Sequence, residues 1–178
     1  MEIDRIDNGV QIVMEEVEVR ILQDLAAQLL NLTTPESSEI DSDPLAKMVG
    51  IDMHATKPTD PVLSRLYPDA YPDDPEASLE FRRFTERSLR DASVERAERI
   101  LQIISEGLEL QLIHEQWNDM VGFLNDLRLA LGTRLEITQS LENQELDDND
   151  PRAALFDLYG WLTWMQEMLI EKGFLHED

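Results

Sequence analysis

Asn125, Asp126, Arg128 and Arg134 are the residues whose types and spacing best suit recognition chemistry in this chain. All four lie in the stretch WNDMVGFLNDLRLALGTRL, residues 117–135, whose apolar residues recur at helical spacing. Asn125 and Arg128 are three residues apart and share a helix face, with Gly132 four residues beyond Arg128. A guanidinium on an otherwise apolar stripe needs an acceptor, because an unpaired buried charge is costly. Two roles meet that need. In one, Arg128 is tied to a carboxylate or to carbonyls of the loop at residues 69–74. In the other, Arg128 and Arg134, with Asn125 beside them, hold a small anion or a peptide carboxylate, as a binder or as an enzyme.

Other chemistry has little to stand on. There is no GxGxxG, GxxxxGK[ST] or GxSxG, so phosphate cradles and hydrolase elbows lack their motifs. His54, His114 and His176 are scattered and form no HExxH or Glu-x-x-His pair. Glu145, Asp147, Asp148 and Asp150 match a cation site in composition but lack the ordered spacing of a calcium loop, and read as a solvated acidic loop. We assign no catalytic residue, no metal and no cofactor from the sequence. Trp161 and Trp164, after Tyr159, read as core and interface residues.

The balance of 38 acidic against 15 basic residues gives a net charge of −23, a field that repels nucleic acid and anionic membranes and favours a basic protein partner. Residues 80–99 are the exception. Six arginines there (Arg82, Arg83, Arg87, Arg90, Arg96, Arg99) interleave with five acids, as in a helix laced with i,i+4 ion pairs; a DNA-contacting regulator is the alternative. No window reaches the length of a membrane span, the opening MEIDRIDNG is not a secretory signal, and no cysteine is present. A cytoplasmic location is expected.

The elements that must position these residues follow from periodicity. EIDRI and VQIVM alternate around Asp7-Asn8-Gly9 and predict a hairpin turning at Asn8-Gly9, with LELQL at 108–112 as a third strand. Helix is predicted at about 15–32 on a face of Ile21 or Leu22, Leu25, Leu29 and Leu32. Residues 33–60 read as a loop-rich connector with a short helix at 44–50. A proline-rich loop lies within 60–76. Beyond it, helix is predicted at 75–89 on Leu79, Phe81 or Arg82, Phe84 and Leu89, restarting or kinking at Ser93 and running to about 105.

The 117–135 helix carries a main stripe of Trp117, Val121, Leu124, Leu127 or Arg128, Leu131 and Leu135. Its glycines, Gly122 and Gly132, each cost about 1 kcal/mol against Ala and imply close approach of a neighbouring backbone. The last helix, about 151–172, is apolar at Ala154, Leu155, Leu158, Trp161, Leu162, Met165 and Leu169. Phe156, Trp164 and Met168 lie beyond that stripe and would serve a homodimer. The expected fold is mainly α: a single domain of four to five helices, the 115–137 helix central, with a small antiparallel hairpin or three-stranded sheet.

NDLRLALGTRL (125–135), DPVLSRLYPDAYPDD (60–74), FRRFTE (81–86) and LYGWLTWMQE (158–167) together resemble an actinobacterial family of uncharacterised proteins, a domain of unknown function. The likeness covers nearly the whole chain. It implies a mostly helical cytoplasmic protein whose gene often lies beside that of the Clp protease adaptor ClpS. Some relatives are discussed as oxidative-stress regulators working through cysteines, a mechanism for which these residues hold no thiol. The favoured function is a non-enzymatic protein-interaction or regulatory module.

Overall fold

The computed structural model describes residues 1–34, 51–52, 55–137 and 150–173. The chain begins with strands β1 (Glu2–Ile6) and β2 (Gly9–Val13), followed by helix α1 (Glu16–Thr33). After residues outside the described set come α2 (Pro61–Leu66), α3 (Pro75–Ile104), β3 (Glu109–Ile113), α4 (His114–Arg134) and α5 (Ala153–Gly173). Five helices and one three-stranded sheet thus make up the described elements, the mainly α arrangement the sequence predicts. The expected helix at 44–50 and most of the acidic 142–150 run lie outside the described residues.

The sheet is antiparallel, with β2 between β1 and β3. Alternation places Ile3, Ile12 and Leu110 in one cross-strand row and Val10 and Leu112 in the next, all buried on one face. The turn differs from the Asn-Gly expectation. Ile6 pairs with Gly9, so Asp7 and Asn8 form the two-residue loop, and the positive φ (154°) belongs to Gly9. A Cβ there would lie 1.9 Å from the Leu112 carbonyl oxygen, which explains why glycine occupies the strand's first position.

Asp-Pro starts two helices in the same way. Asp60 accepts from the Val62 amide at 2.7 Å and Asp74 from the Ala77 amide at 3.0 Å, each with proline at the first helical position. The predicted break at Ser93 is absent: α3 is one helix of 30 residues. No proline or glycine occurs between Glu76 and Glu106 to interrupt it, and the Ser93 hydroxyl reaches Asp126 of α4 instead of capping.

One apolar core joins the sheet to α1, α3, α4 and α5. Helix α4 is its centre, packing on α5, α3 and α2 and touching the sheet. Its buried residues are Trp117, Met120, Phe123, Leu124 and Leu127; Met120 and Phe123 were not on the predicted stripe. In α1 the buried face runs Val19, Leu22, Ala26, Leu29 and Thr33, with Leu25 at its margin. Only the second half of α3 enters the core, through Ala97, Ile100 and Ile104. Of the alternatives Phe81 and Arg82, Arg82 is the buried one: the first half buries Ser78 and Arg82 against the proline-rich loop, and Phe84 and Leu89, expected on the inner face, are exposed with Phe81. Leu155 likewise is exposed at the start of α5, whose inner face is Leu162, Met165, Gln166 and Leu169.

Candidate functional site

Two polar seams flank α4. On the α3 side, Asp119, Gly122 and Asp126 recur at i, i+3 and i+7 and so form one row. Arg99 grips Asp119 through Nε at 2.7 Å and Nη2 at 3.1 Å, and Arg96 donates to Asp126 at 2.9 Å. Gly122 makes room for the Arg96 guanidinium: a Cβ there would sit 2.9 Å from its Nε. The close neighbour is therefore a side chain and not a backbone. Burial pushes the Asp126 carboxyl above its ordinary range, against the opposing pull of Arg96 and Ser93.

On the α5 side the chemistry is different. Arg128 donates from Nε to Thr163 Oγ1 at 2.9 Å and from Nη1 to Gln166 Oε1, and its guanidinium lies 5.5 Å from the centre of the Tyr159 ring. Gln166 is buried and donates in turn to the Val121 carbonyl at 3.1 Å. None of these partners is charged. The predicted link from Arg128 to the 69–74 loop does not form. Arg82 of α3 holds that loop instead, through Asp69 at 2.8 Å and the Tyr67 carbonyl at 3.2 Å, with Glu86 on its other side. Burial alone would lower the Arg82 pKa, but Glu86 and Asp69 raise it.

Arg134 is engaged elsewhere too. It donates to Asp60 at 2.8 Å and so clamps the start of α2 to the end of α4. Burial would raise the Asp60 pKa, yet the Val62 amide and Arg134 hold it below the ordinary value. Asn125 is exposed. Of the three residues expected to hold a ligand, Arg128 lines a cleft among the described residues.

That cleft has a volume of about 410 Å³ and lies between α2, α4 and α5. Arg65, in the last turn of α2, and Arg128 supply positive charge to its wall. Leu129, Ile137 and the Tyr159 ring supply apolar surface. Gly132 lies under that ring: a Cβ there would be 3.2 Å from Tyr159 Cε2. The remaining wall is the end of α4. There the Ile137 amide returns to the Gly132 carbonyl at 2.9 Å and the Glu136 amide to the Thr133 carbonyl at 3.2 Å, a Schellman turn. Its left-handed position, where glycine is usual, is held by Glu136 at φ 54°. Sequence reasoning missed Arg65 and Tyr159. Arg65 could have been found as the one cation in the proline-rich 60–76 stretch.

A family model described as a domain of unknown function, DUF2017, matches residues 1–172. The chain belongs to the DUF2017 family. A Mycobacterium tuberculosis protein and a Mycobacterium bovis protein, each named "Oxidative stress regulator AosR", are 36% identical to it over 168 residues, covering 86% of this chain and 77% of the relative. A Mycobacterium leprae relative that also bears the AosR name is 34% identical with the same coverage. No solved structure matches this chain. The family assignment agrees with the resemblance drawn from the four sequence blocks, and it assigns no reaction. Among the described residues no helix is long and apolar enough to cross a membrane, and no cluster of His, Asp and Glu could hold a metal ion.

Proposed function

We propose that this chain is a regulatory protein that acts by binding a protein partner and not by catalysis. The observation that carries the reading is the regulator name borne by relatives 36% identical over 86% of the chain. These 178 residues contain no cysteine, so a thiol switch has no residue here. The net charge of −23 steers encounter toward a basic surface. The first half of α3 offers contact area, with Phe81 and Phe84 exposed and the Phe81 ring edge-on to Tyr71. DNA contact through the same helix is disfavoured, because Arg82, Arg87, Arg90, Arg96 and Arg99 are all within ion-pair range of carboxylates. Exposed Leu155 and Trp164 on α5 favour a second reading, self-association through that helix.

A photo-crosslinking residue placed at Phe84 or at Trp164 in cells separates these readings. A discrete adduct with another protein from position 84, weakened by salt, supports the partner reading. An adduct of twice the chain mass from position 164 supports self-association. Uncrosslinked chain alone from both positions contradicts both.

A further inference from the structure

We propose that the cleft between α2, α4 and α5 is a binding site for a small monocarboxylate carried on an apolar body. Arg82, Arg87, Arg90, Arg96, Arg99, Arg134 and Arg152 each lie within ion-pair range of a carboxylate, whereas Arg20 and Arg83 meet none among the described residues. Among the described residues neither Arg65 nor Arg128 has one, and both line this cleft. Arg128 is already oriented: Nε and Nη1 are fixed by Thr163 and Gln166, its face lies over Tyr159, and Nη2 keeps its N–H groups uncommitted. A guanidinium fixed in this way loses little freedom on accepting an oxyanion. Arg65 is exposed at the end of a short helix and can close on the same ligand.

The charge of the wall selects the ligand class. Two guanidinia and the Glu136 carboxylate leave one net positive charge, which suits a monoanion better than a dianion. Leu129, Ile137 and the Tyr159 ring favour an apolar body over a bare inorganic ion, and about 410 Å³ suits a compact organic molecule. Glu136, whose φ of 54° belongs to the Schellman turn that ends α4, stands on this wall and supplies its one carboxylate. Arg134 is excluded from the site, since Asp60 occupies it.

The test is a titration of the full chain with benzoate, followed by amide shifts in NMR. Saturable shifts clustered at Leu129, Gly132, Thr133 and Glu136 are expected. Arg65→Gln should weaken binding by roughly tenfold while leaving the remaining spectrum in place. Arg128→Lys, which keeps the charge but loses the fork, should weaken it as well. Benzamide, the neutral isostere, should leave the amides unmoved, and inorganic phosphate should bind more weakly than benzoate. Unsaturable or scattered shifts, equal response to benzamide, tighter binding of phosphate, or indifference to Arg65→Gln would each overturn the proposal.

Discussion

Helix α4 meets α3 and α5 with opposite chemistry. Toward α3 it presents carboxylates, Asp119 and Asp126, and the neighbour returns guanidinia, Arg99 and Arg96. Toward α5 it presents a guanidinium, Arg128, and the neighbour returns a hydroxyl, an amide and an aromatic ring. The first seam neutralises itself and its charge is spent on the fold. The second commits Nε and Nη1 of Arg128 while leaving Nη2 and a positive charge beside a cleft that Arg65 also lines. Two polar seams of similar extent can therefore differ in what they leave over for a ligand.

The largest expected effect sharpens the first half of that comparison. Asp126→Ala strands the Arg96 guanidinium over Gly122 without its acceptor and should cost about 2 kcal/mol in denaturant unfolding. A loss below a few tenths would mean that this seam is not closed by charge.

The next effect concerns the wall of the cleft. Glu136→Gly removes a side chain from a left-handed position and should stabilise the fold by about 1 kcal/mol. A destabilised variant would show that the Glu136 side chain does more for the fold than its backbone conformation costs.

The smallest effects are in pH dependence, and the two clamps on α4 should respond with opposite sign. Asp126 is raised by burial, so its ionised form costs stability at neutral pH. That cost fades as pH falls through its pKa, which lies above the ordinary 3.8. Asp60 is lowered by the Val62 amide and Arg134 despite burial. Its contribution is complete above 3.8 and is lost as pH falls further, through its folded pKa. Asn caps a helix about as well as Asp, so Asp60→Asn isolates the charge, worth about 0.5 kcal/mol for an exposed pair. Measured against their Asn variants, the wild type should gain at position 126 on acidification and lose at position 60. Equal slopes at both positions would break the distinction.

Much of this architecture was legible in the residues, for reasons that also explain the gaps. The hairpin and third strand showed because alternation at 3, 10, 12, 110 and 112 is a local signal. Asp60-Pro61 and Asp74-Pro75 carry their own capping chemistry, so those helix starts were readable too. Helix α3 was misread at Phe84 and Leu89, which look like a core face, and of the alternatives Phe81 and Arg82 it is Arg82 that is buried, its cost met by Asp69 and Glu86. Only tertiary pairing reveals that exchange. The same holds for the candidate site. Arg128 stood out as a cation on an apolar stripe, but its partners lie 35 and 38 residues away on α5, and Arg65 joins it only through the packing of α2. Nothing local distinguishes Arg134, which meets a carboxylate, from Arg65, which meets none among the described residues.

The arginines of the α3 seam are spent on folding, while Arg65 at the cleft is not. The same substitution at two positions tests this directly, by chemical denaturation at neutral pH. Arg96→Gln should destabilise by about 2 kcal/mol, because Asp126 is left buried without its counter-charge. Arg65→Gln should change stability by less than about 0.5 kcal/mol. Comparable losses at the two positions would contradict the account, since Arg65 would then be committed to the fold as firmly as Arg96.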